Sequence, residues 1–166
     1  MVKSVWLWII AVVVTLASAY YQRVTGPTHP ISGRVVLGSE EVRYVLLRSY
    51  GGESNAPISI SVAADDVQGS LFWKSFKTDD PWTQLPMILT EGSLLAELPH
   101  QPPAGKLEYY VVLEREGQQV VLPADGSVVI RFKGDVPLWL LIAHVIVIFG
   151  AMLFSARTGL ELFARR

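Results

Sequence analysis

Two uncharged apolar stretches, residues 5–21 and 136–156, stand at the extremes of this chain, and the middle between them is polar and strand-like. At ~1.5 Å of helical rise per residue, each can cross the ~30 Å hydrocarbon core of a bilayer. No water reaches the backbone there, so a spanning segment must satisfy its own N–H and C=O groups as a helix. The pair predicts two transmembrane helices, with both termini on one side and one domain on the other. The expected order is a short cytoplasmic N terminus at 1–4, a span at 5–21 and an extended lead-in at 22–32. An exported domain at 33–135, a second span at 136–157 and a short basic cytoplasmic tail at 158–166 complete it.

Charge orients the spans. Residues 22–135 carry ten Lys/Arg against fourteen Asp/Glu, whereas the ends carry Lys3, Arg157, Arg165 and Arg166 against the single acid Glu161. Basic flanks and an acidic middle place both termini in the cytoplasm. An acidic folded part without a basic stripe excludes a nucleic-acid role. The chain has no cysteine, which removes disulfides, thiolate metal sites and cysteine nucleophiles. Lys3, the apolar run and Ala17-Ser18-Ala19 also have the layout of a cleavable secretory signal. A lone basic residue and the interfacial pair Tyr20-Tyr21 favour a retained anchor, and either reading exports the middle.

Between the spans, short runs of alternating apolar residues recur at 33–37, 42–49, 58–63, 69–77, 94–98, 107–114, 118–122 and 128–132. Turn signals separate them, among them Gly51-Gly52, Asp79-Asp80-Pro81, Pro102-Pro103-Ala104-Gly105 and Glu116-Gly117. Seven or eight strands in about a hundred residues, with no helical period among them, predict an antiparallel all-β sandwich. Trp73 and either Tyr109 or Tyr110 are the expected core aromatics.

The run Ser70-Leu71-Phe72-Trp73-Lys74, then Pro81-Trp82, Met87, Gly92 and Leu95-Ala96-Glu97-Leu98-Pro99, leads into Gly105-Lys106-Leu107-Glu108-Tyr109-Tyr110-Val111-Val112-Leu113. This resembles the middle and late strands of immunoglobulin-like or fibronectin type III-like modules of bacterial membrane-anchored envelope proteins, over about residues 70–123. The resemblance implies an immunoglobulin-like sandwich on the periplasmic or extracellular face of a bacterial inner (cytoplasmic) membrane. It brings no catalytic residues, and the fold hosts many jobs.

In the second span, His144 lies roughly 10 Å into the hydrocarbon, a depth at which an ionisable group faces protein or water. One reading is a hydrogen bond across a helix interface, to Thr15 or to a partner. A second is an axial haem ligand completed by a partner, since the remaining histidines, His29 and His100, belong to the exported part. A third is a proton relay, which lacks a carboxylate in either span. Small residues form ladders on both spans, Ala11, Thr15 and Ala19 on the first and Ala151, Ser155 and Gly159 on the second, as close helix packing requires. Trp82, beside Asp79-Asp80-Pro81, either caps the sandwich core or is an exposed contact for a sugar ring or protein partner. No metal-ligand spacing, nucleophile elbow or phosphate-cradling loop occurs.

The expectation is a non-catalytic accessory or structural subunit of a membrane complex, embedded in lipid, with other integral membrane subunits as partners and no cofactor. The alternatives are an envelope module that recognises glycan or a periplasmic protein, and a redox subunit using His144.

Overall fold

A computed structural model describes residues 2–164; Met1 and the basic pair Arg165 and Arg166 lie outside them. The chain divides into a helical unit, running through Gly26 and resuming at Val136, and a β unit, Pro27–Asp135.

The helical unit comprises α1 (Val2–Thr25) and α2 (Leu138–Ala164). At ~1.5 Å per residue they are about 36 and 40 Å long, and both are apolar enough to cross a membrane. Each outruns the span expected for it. Gln22 to Thr25 stay helical, residues 26–29 bend and turn, and a strand already begins at Ile31, so the extended lead-in expected over 22–32 does not form. Where α1 ends, the Thr25 hydroxyl donates to the Tyr21 carbonyl at 2.7 Å, and a Cβ on Gly26 would lie 2.6 Å from the Gln22 carbonyl oxygen. At the other end Pro137 precedes the first turn of α2, where its missing N–H costs nothing. Helix formers then carry α2 past Arg157 to Ala164.

The β unit holds eleven strands among the described residues, where seven or eight were expected: β1 (Ile31–Leu37), β2 (Glu40–Leu46), β3 (Ser49–Gly51), β4 (Ala56–Ser61), β5 (Gln68–Ser75), β6 (Thr83–Pro86), β7 (Ile88–Thr90), β8 (Ser93–Leu98), β9 (Lys106–Arg115), β10 (Gln118–Leu122) and β11 (Val128–Lys133). Each of the eight expected runs contains a strand, and the run at 42–49 is broken at Leu47 and Arg48. The additions are β3, β6 and β7, each of four residues or fewer. One sheet has the order β1-β2-β4-β8-β7 and is antiparallel. The other runs β3-β11-β9-β5-β6, with β10 also on β9, and is mixed because β3 lies parallel to β11.

The alternation of side chains dictates the layering. In β9, Leu107, Tyr109, Val111 and Leu113 are buried while Glu108, Tyr110 and Val112 point to the opposite face. The buried sets of both sheets meet in one core, with Leu46, Ile58, Ile60 and Leu98 from the first and Leu71, Tyr109, Val111 and Phe132 from the second. The chain changes sheets five times, and hydrogen bonds mark two of the crossings. After β2 it crosses at Leu47 and Arg48, and the fully buried Tyr109 hydroxyl donates to the Leu47 carbonyl at 2.9 Å. At Met87 it crosses from β6 to β7, and the Met87 N–H donates to the Gly69 carbonyl at 2.9 Å. The β9–β10 turn at Glu116-Gly117 and the β7–β8 turn at Glu91-Gly92 have positive φ at both central residues, the two-residue hairpin geometry that matches strand twist.

Two predictions test this packing, both read by urea unfolding of the full chain in nanodiscs. Burial pushes the Tyr109 phenol well above its ordinary value of 10.0. An unfolded tyrosine ionises near that pH while the folded one stays neutral, so this contribution to stability is intact below pH 10 and falls as the pH rises above it. Tyr109→Phe is expected to cost about 1–3 kcal/mol at neutral pH, by orphaning the Leu47 carbonyl, and to flatten the alkaline decline. On β1, Gly33 faces Tyr44 across the strand pair, and a Cβ there would lie 2.6 Å from the ring carbon bearing the hydroxyl. The ring covers the glycine, so Gly33→Val is expected to cost about 1–3 kcal/mol by displacing it.

Candidate functional site

The strongest candidate surface is the outer face of the second sheet. The pleat that sends Tyr109 and Trp73 inward sends their neighbours outward, and the register sets Phe72 opposite Tyr110. Their rings stack at 4.9 Å with an interplanar angle of 5°. Trp82, just before β6, stands edge-on to Tyr110 at 4.8 Å, and the Lys74 ammonium lies 5.0 Å from the Trp82 ring centroid. Trp82 is 38% exposed and belongs to this outer stripe, not to the end of the core.

Two clefts border the stacked pair. One, of about 490 Å³, lies between Trp82 and Tyr110 on one side and Val121, Ala124, Gly126 and Ser127 on the other. The larger, of about 520 Å³, has Phe72, Val112, Pro86 and Met87 among its apolar lining. Its polar groups are Gln68, Ser70, Gln84, Gln119 and the carboxylates of Asp65 and Glu114, and among the described residues no Lys or Arg lines it. Two of the amides are held by cross-strand bonds: Gln84 Nε2 donates to Ser70 Oγ at 3.0 Å, and Gln119 Nε2 to Glu114 Oε2 at 2.9 Å. Those bonds leave each amide oxygen without a protein donor among the described residues. The sequence singled out Trp82 but not the glutamines, since a glutamine on a strand reads as an ordinary solvated position.

Nearby cations are engaged elsewhere. Arg115 donates from Nε to Asp66 at 2.9 Å and from Nη1 to Glu40 at 3.4 Å, and the carboxylates, Asp66 foremost, raise its pKa. Glu40 also accepts from the Ala63 N–H, so the cluster ties the β1–β2 turn to the end of β9. It acts as a clamp between these segments.

The helical unit supplies the other residues. On α1, exposure falls at Leu7, Ala11, Thr15 and Ala19, every fourth position, with Ala11 wholly buried and Thr15 at 5%. This face meets the C-terminal half of an antiparallel α2. Trp8 packs edge-on to Phe154 at 5.9 Å, and the Arg157 guanidinium lies 5.5 Å over the Trp8 ring while donating to Glu161 at 3.0 Å. Ala151 and Ser155 line a groove opposite Thr15 and Ser18, and nothing lies within 4 Å of where a Gly159 Cβ would stand. Trp8 and Arg157 thus take part in a helix contact that the small-residue spacing did not reveal. From Leu138 to Phe149 every α2 residue is exposed, His144 included. Thr15 Oγ1 is buried without a hydrogen-bond partner among the described residues, so His144 and Thr15 do not bond.

His29 is exposed. His100 is tied to the fold by its N–H to Asn55 Oδ1 at 3.0 Å and by edge contact with Phe132. Among the described residues no group of three or more His, Cys, Asp or Glu is placed to hold a metal ion. No protein-family model matches the chain, and no curated protein shows significant similarity to it.

Ala11→Leu tests the helix pair. The added volume at a fully buried contact is expected to lift α2 from Trp8 and to increase quenching of Trp8 by brominated lipid. The difference from the same change in a Trp8→Phe background isolates that residue's signal.

Proposed function

We propose that this chain is a non-catalytic accessory subunit of a bacterial membrane complex. Its two helices span the inner membrane with both termini cytoplasmic, and its β unit is an immunoglobulin-like module on the periplasmic or extracellular face.

The observation that carries the reading is His144. It lies about 9 Å along α2 from Leu138 at ~1.5 Å per residue, in a stretch that α1 leaves bare. No hydrogen bond to it forms among the described residues. An imidazole facing hydrocarbon is costly, so histidines at such depth turn towards protein or water. A helix of another integral membrane subunit, offering an acceptor to the ring N–H, supplies that environment. The strand order supports the module assignment. Numbering β2 as A, β4 as B, β7 as D and β8 as E puts A, B, E and D in one sheet; β5, β9 and β10–β11 as C, F and G make the other, the arrangement of immunoglobulin-type sandwiches. The β1 strand is then an addition at the edge.

Gentle extraction followed by native mass spectrometry tests the proposal. The wild-type chain is expected in a stoichiometric assembly with at least one other membrane protein, and His144→Ala is expected to weaken that assembly at least about fivefold. Recovery as a monomer or simple homodimer, or an assembly indifferent to His144→Ala, would sink it. A haem absorbance band lost in His144→Ala would replace the hydrogen-bonding role with ligation.

A further inference from the structure

The larger cleft on the second sheet has a chemistry that the membrane helices do not share, and its argument stands whether or not α2 has a partner. Its apolar lining includes Phe72, Val112, Pro86 and Met87, and a folded domain gains nothing by leaving such side chains together around an open cleft. Around them stand Gln68, Gln84, Gln119 and Ser70, groups that both donate and accept hydrogen bonds. The bonds from Gln84 to Ser70 and from Gln119 to Glu114 fix two of these amides in place, with each carbonyl oxygen still open. Pre-orientation of this kind lowers the entropy lost on binding.

The electrostatics narrow the ligand. The charged groups lining the cleft are Asp65 and Glu114, and among the described residues no cation lines it to balance them. A phosphate, sulfate or carboxylate ligand would meet repulsion and no counter-charge. An apolar side chain would cover the lining but leave the amides stripped of water and unpaired. A sugar answers both demands. Its hydroxyls match groups that donate and accept, and its C–H faces cover apolar and aromatic surface, which the Phe72–Tyr110–Trp82 stripe continues beyond the cleft.

We propose that this cleft is a binding site for an uncharged or amino-sugar-containing glycan, with Gln84, Gln119 and Gln68 reading hydroxyls and Phe72 carrying the sugar face. Amide–hydroxyl bonds of this kind, made in competition with water, give weak, millimolar to micromolar binding to a short oligosaccharide.

The experiment titrates the full chain in nanodiscs, followed by thermophoresis, with neutral tetrasaccharides (chitotetraose, cellotetraose and maltotetraose), the cationic tetramer of glucosamine, and the anionic tetragalacturonate. At least one neutral or cationic probe is expected to saturate at or below about 10 mM, and tetragalacturonate to bind at least tenfold more weakly. Gln84→Ala and Gln119→Ala are each expected to weaken binding about fivefold, and Phe72→Ala to abolish it. Val36→Ala, on the exposed face of β1 in the other sheet, should leave it unchanged. Circular dichroism confirms folding, and Gln68→Ala replaces any variant that fails that check. Failure of every neutral and cationic probe, preference for tetragalacturonate, or binding unmoved by the glutamine changes would each overturn the assignment.

Discussion

One strand supplies both the centre of the core and the floor of the candidate site. Along β9 the pleat buries Leu107, Tyr109, Val111 and Leu113, and it offers Tyr110, Val112 and Glu114 outward. Because the side-chain period is two, a slip of one residue would exchange the sets, exposing four core residues and burying carboxylates. The burial that fixes the register therefore also fixes which aromatics face solvent. Tyr109 adds a positional lock where its hydroxyl meets Leu47, because the chain there leaves one sheet for the other and an orphaned carbonyl in the core is costly. The candidate surface inherits its register from these core constraints.

This explains what the sequence showed and what it hid. Alternation marked every long strand, since Ile58-Ser59-Ile60-Ser61 has one register that buries both isoleucines. It could not say which of Tyr109 and Tyr110 turns inward, because both faces of β9 carry large residues; only partner strands break that symmetry. The missing strands, β3, β6 and β7, are defined by their neighbours more than by their own residues. Ser49–Gly51 becomes a strand by lying parallel to β11, and Pro86 is tolerated on β6 because that strand is an edge. The run at 42–49 read as one strand because the sheet switch at Leu47 and Arg48 carries no Gly or Pro to announce it. Trp82 was legible as a residue needing explanation. The glutamines were not, since their meaning comes from standing together on adjacent strands.

The helices show the same division between pattern and context. Spacing at every fourth residue identified the face of α1 that loses exposure, from Ala11 through Thr15 to Ala19. It did not reveal that the contact on α2 falls to Arg157 and Phe154 against Trp8. A guanidinium over an indole and paired with Glu161 is one way to hold a charge at the end of an apolar helix. The small residues Ala151 and Ser155 of α2 instead line the groove opposite Thr15 and Ser18.

In the β unit the exposed aromatics gather on one sheet face, whereas the corresponding face of the other sheet shows Val36 and Val45 among charged Arg34, Arg43 and Glu41. A domain with one polar face and one aromatic face has a direction, and the register of β9 sets it. On α2 the bare stretch is apolar on every side, and lipid alone would satisfy it everywhere except at His144. Two different physical demands thus remain open within one chain: an imidazole lacking a partner in a medium that offers none, and fixed amides lacking partners where water can serve provisionally. Under the proposed membrane placement, the first is the demand that a partner helix would meet. The second permits weak, exchangeable ligands, because water leaves the cleft at little cost whenever a better-matched set of hydroxyls arrives.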